Sequence, residues 1–78
     1  MELVIITPAK KDIIEIIWVE LNTSNGNYII QPGHAPSIFM LSEKKPLIYC
    51  LKNGKQEIVM IERAMAEVTR RSVTVLMN

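Results

Sequence analysis

The stretch Ile13-Ile14-Glu15-Ile16-Ile17-Trp18-Val19-Glu20-Leu21-Asn22, then Thr23-Ser24-Asn25-Gly26-Asn27, then Tyr28-Ile29-Ile30-Gln31, decides the fold class. Its first part is rich in β-branched residues and ends in a period-2 section. There Ile17, Val19 and Leu21 are expected on one face, with Trp18 and Glu20 on the other. The length of this run predicts either one bent strand or two strands. Asn25-Gly26 predicts a hairpin turn of type I′, because that turn needs positive φ at both central residues. Tyr28 to Gln31 then returns as a very short strand.

The same grammar continues in both directions. Leu3 to Thr7 predicts a first strand stopped by Pro8, with a polar turn over Ala9 to Asp12. Downstream, Ser37 to Ser42, Leu47 to Lys52, Gln56 to Glu62 and Val73 to Met77 read as strands. Turns fall at Glu43-Lys44-Lys45-Pro46, Asn53-Gly54 and Arg70-Arg71-Ser72. Arg63 to Thr69 has helix-compatible residues, yet the flanking turns leave room only for a strand. The expectation is an all-β domain of about eight or nine short strands, mostly antiparallel, closed as a flattened sandwich or barrel.

With 78 residues the chain makes one domain, spanning 1–78, whose core is adequate but not generous. Apolar residues make up 49%, too many for a disordered segment. Nine basic and eight acidic residues nearly cancel, and six of the basic ones fall as isolated pairs at expected turns (Lys10-Lys11, Lys44-Lys45, Arg70-Arg71). Nucleic-acid binding would need a denser basic face and clustered aromatic platforms, so that class is set aside. The single cysteine, Cys50, lies in the apolar run Leu47 to Leu51 and is expected to be a buried, inert thiol. No apolar stretch approaches the ~20 residues of a membrane-spanning helix.

Catalytic chemistry finds no foothold. One histidine, His34, cannot supply a metal ligand set, and three isolated glycines cannot form a phosphate cradle. A triad using His34 with Ser37 or Ser42 lacks a nucleophile elbow. No catalytic, cofactor-binding or metal-binding residue is assigned. What stands out is Pro32-Gly33-His34-Ala35-Pro36, where two prolines interrupt regular structure and fix a loop. It is either a bent connection, with His34 bonded to nearby backbone, or a stiff protrusion whose preset shape lowers the entropic cost of docking.

The string Gly26-Asn27-Tyr28-Ile29-Ile30-Gln31-Pro32-Gly33-His34-Ala35-Pro36 resembles a signature of the ATP synthase epsilon subunit family. That family shows Glu-Gly-Glu-Leu-Gly-Ile, a variable residue, then Pro-Gly-His-Ala-Pro. Thr7-Pro8, Lys52-Asn53-Gly54-Lys55, and Ala66-Glu67-Val68 with Val73-Thr74-Val75-Leu76 agree in order and spacing, so the resemblance runs through essentially the whole chain. It implies a flattened sandwich of about ten strands at the foot of a rotary enzyme's central stalk. Its partners would be the gamma subunit, along one side, and the membrane c-ring, at the bottom loop. The resemblance places Gly26, Asn27, Tyr28 and His34 at the c-ring contact, with Pro32, Gly33 and Pro36 shaping the loop. The subunit would be peripheral, on the cytoplasmic face of a bacterial inner membrane or the equivalent side of an organellar one, held there only through partners.

Three departures from the family pattern bear on this expectation. Asn27 stands where the family has a second acid, and Ile29 where it has a glycine, so the tip offers only neutral hydrogen bonds. Arg63-Ala64 replaces a Gly-Gly, predicting altered local geometry. The chain ends one residue after the last expected strand, so the family's C-terminal helical hairpin, with its inhibitory and ATP-binding roles, is expected to be absent. The alternative is a divergent stand-alone interaction module, and apolar contact surface left bare would let the isolated domain form a homodimer. Trp18 is open between an exposed patch for gamma and burial between sheets.

Overall fold

A computed structural model describes all residues 1–78. Eight strands follow one another: β1 (Glu2–Ile6), β2 (Lys11–Thr23), β3 (Gly26–Ile30), β4 (Ser37–Met40), β5 (Lys45–Leu51), β6 (Gln56–Ile61), β7 (Ala64–Val68) and β8 (Ser72–Met77). Hydrogen-bonded neighbours run β4-β7-β8-β1-β2-β5-β6, with β3 added to β2. Every pair is antiparallel except β1 with β8, which are parallel.

The 13-residue β2 explains why one ribbon of strands becomes a sandwich. Its first half, Lys11 to Glu15, pairs with β1, while Ile16 to Thr23 pairs with β5 and β3. Between the halves Ile16 opposes Leu51 and Trp18 opposes Cys50, so Ile17 is the extra residue of a β-bulge. β2 is therefore a single strand shared by two sheets. The bulge also corrects the expected facing: Ile16 is 1% exposed and belongs to the core, while Ile17 is 42% exposed and points away. Val19 and Leu21 face inward as expected.

The first sheet (β4, β7, β8, β1 and the start of β2) and the second (β3, the rest of β2, β5, β6) press their inner faces together. Leu3, Ala66, Val73 and Val75 from one meet Val19, Leu21, Leu47 and Ile61 from the other in one cluster. The buried residues are all hydrophobic, and the only polar groups their side chains carry are the Tyr49 hydroxyl and the Cys50 thiol. Val4 and Cys50 are buried outside this cluster, on the outer faces of their sheets. Cys50 is thus a buried free thiol, with half-buried Trp18 as its cross-strand neighbour. Trp18 therefore lies outside the second sheet rather than between the two. The molecule measures 27 × 27 × 19 Å, flattened as the two-layer arrangement requires.

The turns depart from expectation in detail. Ser24 and Asn25 occupy the β2–β3 tip and neither has positive φ, so the hairpin is not type I′. Instead the Thr23 hydroxyl accepts from the Asn25 amide at 3.1 Å and donates to the Gly26 carbonyl at 2.9 Å, while Gly26 takes φ +135°. The polar turn after β1 is shorter than predicted because β2 already starts at Lys11, closed by the Thr7 hydroxyl on the amides of Ala9 and Lys10. Likewise β5 starts at Lys45, ahead of Pro46, whose carbonyl accepts from the Asn22 side chain. Arg63 and Ala64 keep ordinary negative φ, and Ala64 begins β7, so this corner is turned without glycine's freedom. The strand count of eight is below the ten that the resemblance implied.

Candidate docking site

The connection from β3 to β4 crosses from the second sheet to the first and must bend sharply. Gln31-Pro32-Gly33-His34 is a type II turn: Pro32 sits where φ near −60° is wanted, and Gly33 at φ +89° sits where only glycine is comfortable. The His34 amide closes it on the Gln31 carbonyl at 3.2 Å. Pro36 then sets up the entry into β4. The Ala35 carbonyl accepts from His34 Nδ1 at 2.7 Å and from Ser37 Oγ at 3.1 Å. A carbonyl can only accept, so Nδ1 carries a proton and Nε2 is the ring atom left for an outside partner. His34 and Ser37 meet on this oxygen and not on each other. That geometry leaves the Ser37 hydroxyl without His34 as its base, so the two do not form a nucleophile–base pair.

Two hydrogen bonds moor this turn to the β7–β8 turn. The Gly33 amide donates to the Arg70 carbonyl at 2.8 Å, and Arg70 Nη1 donates to the Gly33 carbonyl at 3.2 Å. Arg70 and Arg71 are both solvent-exposed on this turn, as expected of a basic pair there, but only Arg70 also reaches across to Gly33.

The structure divides the residues expected at the contact. Gly26 and Asn27 lie at the hairpin tip, where Asn27 Nδ2 donates to Asn22 Oδ1 at 2.9 Å. His34 lies beyond the far end of β3, a strand about 13 Å long from Gly26 to Ile30. Tyr28 and His34 are linked through Phe39 on β4, with ring centroids at 5.0 Å and 6.4 Å, both tilted. Phe39 was not singled out by sequence, although Ile38-Phe39-Met40 being apolar at three successive strand positions signals a strand covered on both faces. Between the hairpin tip and β4 lies an open groove of about 420 Å³, lined by Asn25, Tyr28, Ile38, Phe39 and Met40 among others.

Both outer faces also carry exposed apolar side chains. On the first sheet Met40, Met65 and Leu76 are cross-strand neighbours in one row, and Ile38 and Ile13 lie in the next. On the second, Ile29, Ile48 and Ile58 share a row interrupted by Glu20. Such faces mark interaction surfaces more often than bare exterior.

The family model described as ATP synthase, Delta/Epsilon chain, beta-sandwich domain matches residues 1–78. Comparison with curated proteins gave no match. Among solved structures, a chain of the Euglena gracilis mitochondrial ATP synthase (OSCP/F1/c-ring, rotational state 1) superposes with TM-score 0.83 at 16% identity. The match covers 96% of this chain and 48% of that one. A chain of the Tetrahymena thermophila mitochondrial ATP synthase central stalk/c-ring superposes with TM-score 0.79 at 16% identity, covering 99% of this chain and 62% of that one. At such identity the likeness is one of fold, and the chain spans roughly half to three-fifths of the length of these relatives.

Proposed function

Because the chain belongs to the ATP synthase delta/epsilon β-sandwich family, we propose that it is a non-catalytic central-stalk component of a proton-translocating F-type ATP synthase, holding the gamma subunit to the membrane c-ring during rotation. The observation that carries this reading is the Pro32-Gly33 turn, moored at Gly33 to Arg70 and supported behind by Phe39. Torque passes through an interface without slip only if the contacting region is stiff, and here two prolines fix φ while both backbone groups of Gly33 are hydrogen-bonded. The hairpin tip, with Gly26, Asn27 and Tyr28, supplies the c-ring contact, His34 adds to it through Nε2, and an apolar outer face meets gamma. No helix of the structure is long and apolar enough to cross a membrane; in this reading attachment runs through these partners. The c-ring grip is weaker than in relatives with an acid at the tip. Asn27 is neutral, and one of its amide protons is already used on Asn22.

The test is co-purification of the tagged chain with its cognate gamma subunit and c-ring. Capture of both is expected, and recovery of neither would sink the proposal. A second reading, a self-associating module of the same fold, is favoured by the apolar side chains exposed on both outer faces. A chain that binds only itself in the same experiment would select it.

A further inference from the structure

We infer that Arg70 is a positioning residue for the docking loop, reading the Gly33 carbonyl with its side chain while its own carbonyl holds the Gly33 amide. The inference rests on the stalk reading above for its purpose, though not for its geometry. Both polar groups of one peptide residue, 37 positions away in sequence, are engaged by a single residue. Gly33 is the left-handed residue on which the type II turn depends. A loop whose pivot is held from both sides loses little freedom on docking.

Arg70 can do this because its own turn is fixed. The Thr69 hydroxyl accepts from the amides of Arg71 (3.3 Å) and Ser72 (3.1 Å) and lies 2.9 Å from the Ser72 hydroxyl. The Thr69 amide donates to the Ser72 carbonyl at 2.8 Å. Arg70 therefore projects from a stapled turn, and the guanidinium arrives at Gly33 from a stiff base. Arg71 shares the turn and the charge, but its side chain forms no hydrogen bond or ion pair, which makes it the matched control.

The experiment compares Arg70→Ala, Arg70→Lys and Arg71→Ala with the parent 78-residue chain. Amide exchange at Gly33 and His34 is followed by NMR, and capture by the cognate gamma subunit and c-ring is measured in parallel. Arg70→Ala should speed exchange at both amides, and weaken capture, by roughly two- to tenfold, the worth of one such hydrogen bond. Arg70→Lys should recover part of both effects, since an ammonium can also donate to the carbonyl. Arg71→Ala should change neither, and the melting temperature should hold in all three. Unchanged exchange in Arg70→Ala overturns the inference, as does an equal loss of capture in Arg71→Ala, which would make bulk charge the cause. Faster exchange with undiminished capture also overturns it. Failure of the parent chain to capture any partner counts against the stalk reading instead, and the exchange arm still decides the geometry.

Discussion

At the scale of single residues, Gly33 and Tyr49 show how conformation and charge each leave a measurable mark. A Cβ at Gly33 would meet nothing within 4 Å, so Gly33→Ala tests backbone strain alone. At φ +89° an L-residue is strained, and the substitution should cost about 1–2 kcal/mol in urea unfolding. An unchanged midpoint would mean that the turn relaxes to another type. Tyr49 is buried on the inner face of β5, and desolvation, then the carboxylates of Glu57 and Asp12, raise its pKa above the ordinary 10.0. The folded chain therefore keeps the phenolic proton longer than the unfolded chain. This group's contribution is fully present below about pH 10. It is lost as pH rises from there toward the higher folded-state pKa. Tyr49→Phe should flatten that alkaline loss relative to the parent, and parallel pH–stability curves above pH 10 would refute it.

Among the elements, β2 decides the architecture, and neighbouring isoleucines on it should behave as opposites. Ile16→Ala empties a core position and should cost about 2–5 kcal/mol, whereas Ile17→Ala, on the bulge, should stay within about 0.5–1 kcal/mol. Similar losses at both positions would place them on one face and remove the bulge. This is also where the sequence stopped being legible. Val19-Glu20-Leu21 alternates cleanly, so its facing could be read. Ile13-Ile14-Glu15-Ile16-Ile17, however, puts isoleucine at both parities, so no period marks where the strand slips by one. Strand existence was readable almost throughout, even over Ala64 to Val68, because turn chemistry at close spacing left no room for helix. The parallel β1–β8 pairing was not, since it joins the two ends of the chain and no local signal encodes it. At the loop, Pro32-Gly33 announced its turn in the sequence. Its mooring to Arg70 did not, because a contact across 37 residues has no periodicity to betray it. The split of Gly26 and Asn27 from His34 was hidden for a similar reason: a continuous motif gives no hint that a strand separates its ends.

For the molecule as a whole, the question is what covers its outer faces. A two-layer sandwich only 19 Å thick has one core, and side chains on the outer faces contribute nothing to it. Yet Ile38 and Met40 are each 66% exposed, beside the Met65–Leu76 row and continuous with the docking loop through Pro36. In an assembled stalk a partner would cover this surface; in the isolated chain only water or another copy can. Burial of apolar area at about 25 cal/mol per Å² favours the second at high concentration. Light scattering on the purified chain should therefore show a mass rising above 8.9 kDa with concentration. The double substitution Ile38→Lys with Met40→Lys should return it to the monomer. Neither side chain belongs to the core, so the urea midpoint should hardly move. A mass that stays monomeric at every concentration would show that this face tolerates water. The proposed gamma contact would then have to be sought on the second sheet, around Ile29 and Ile58.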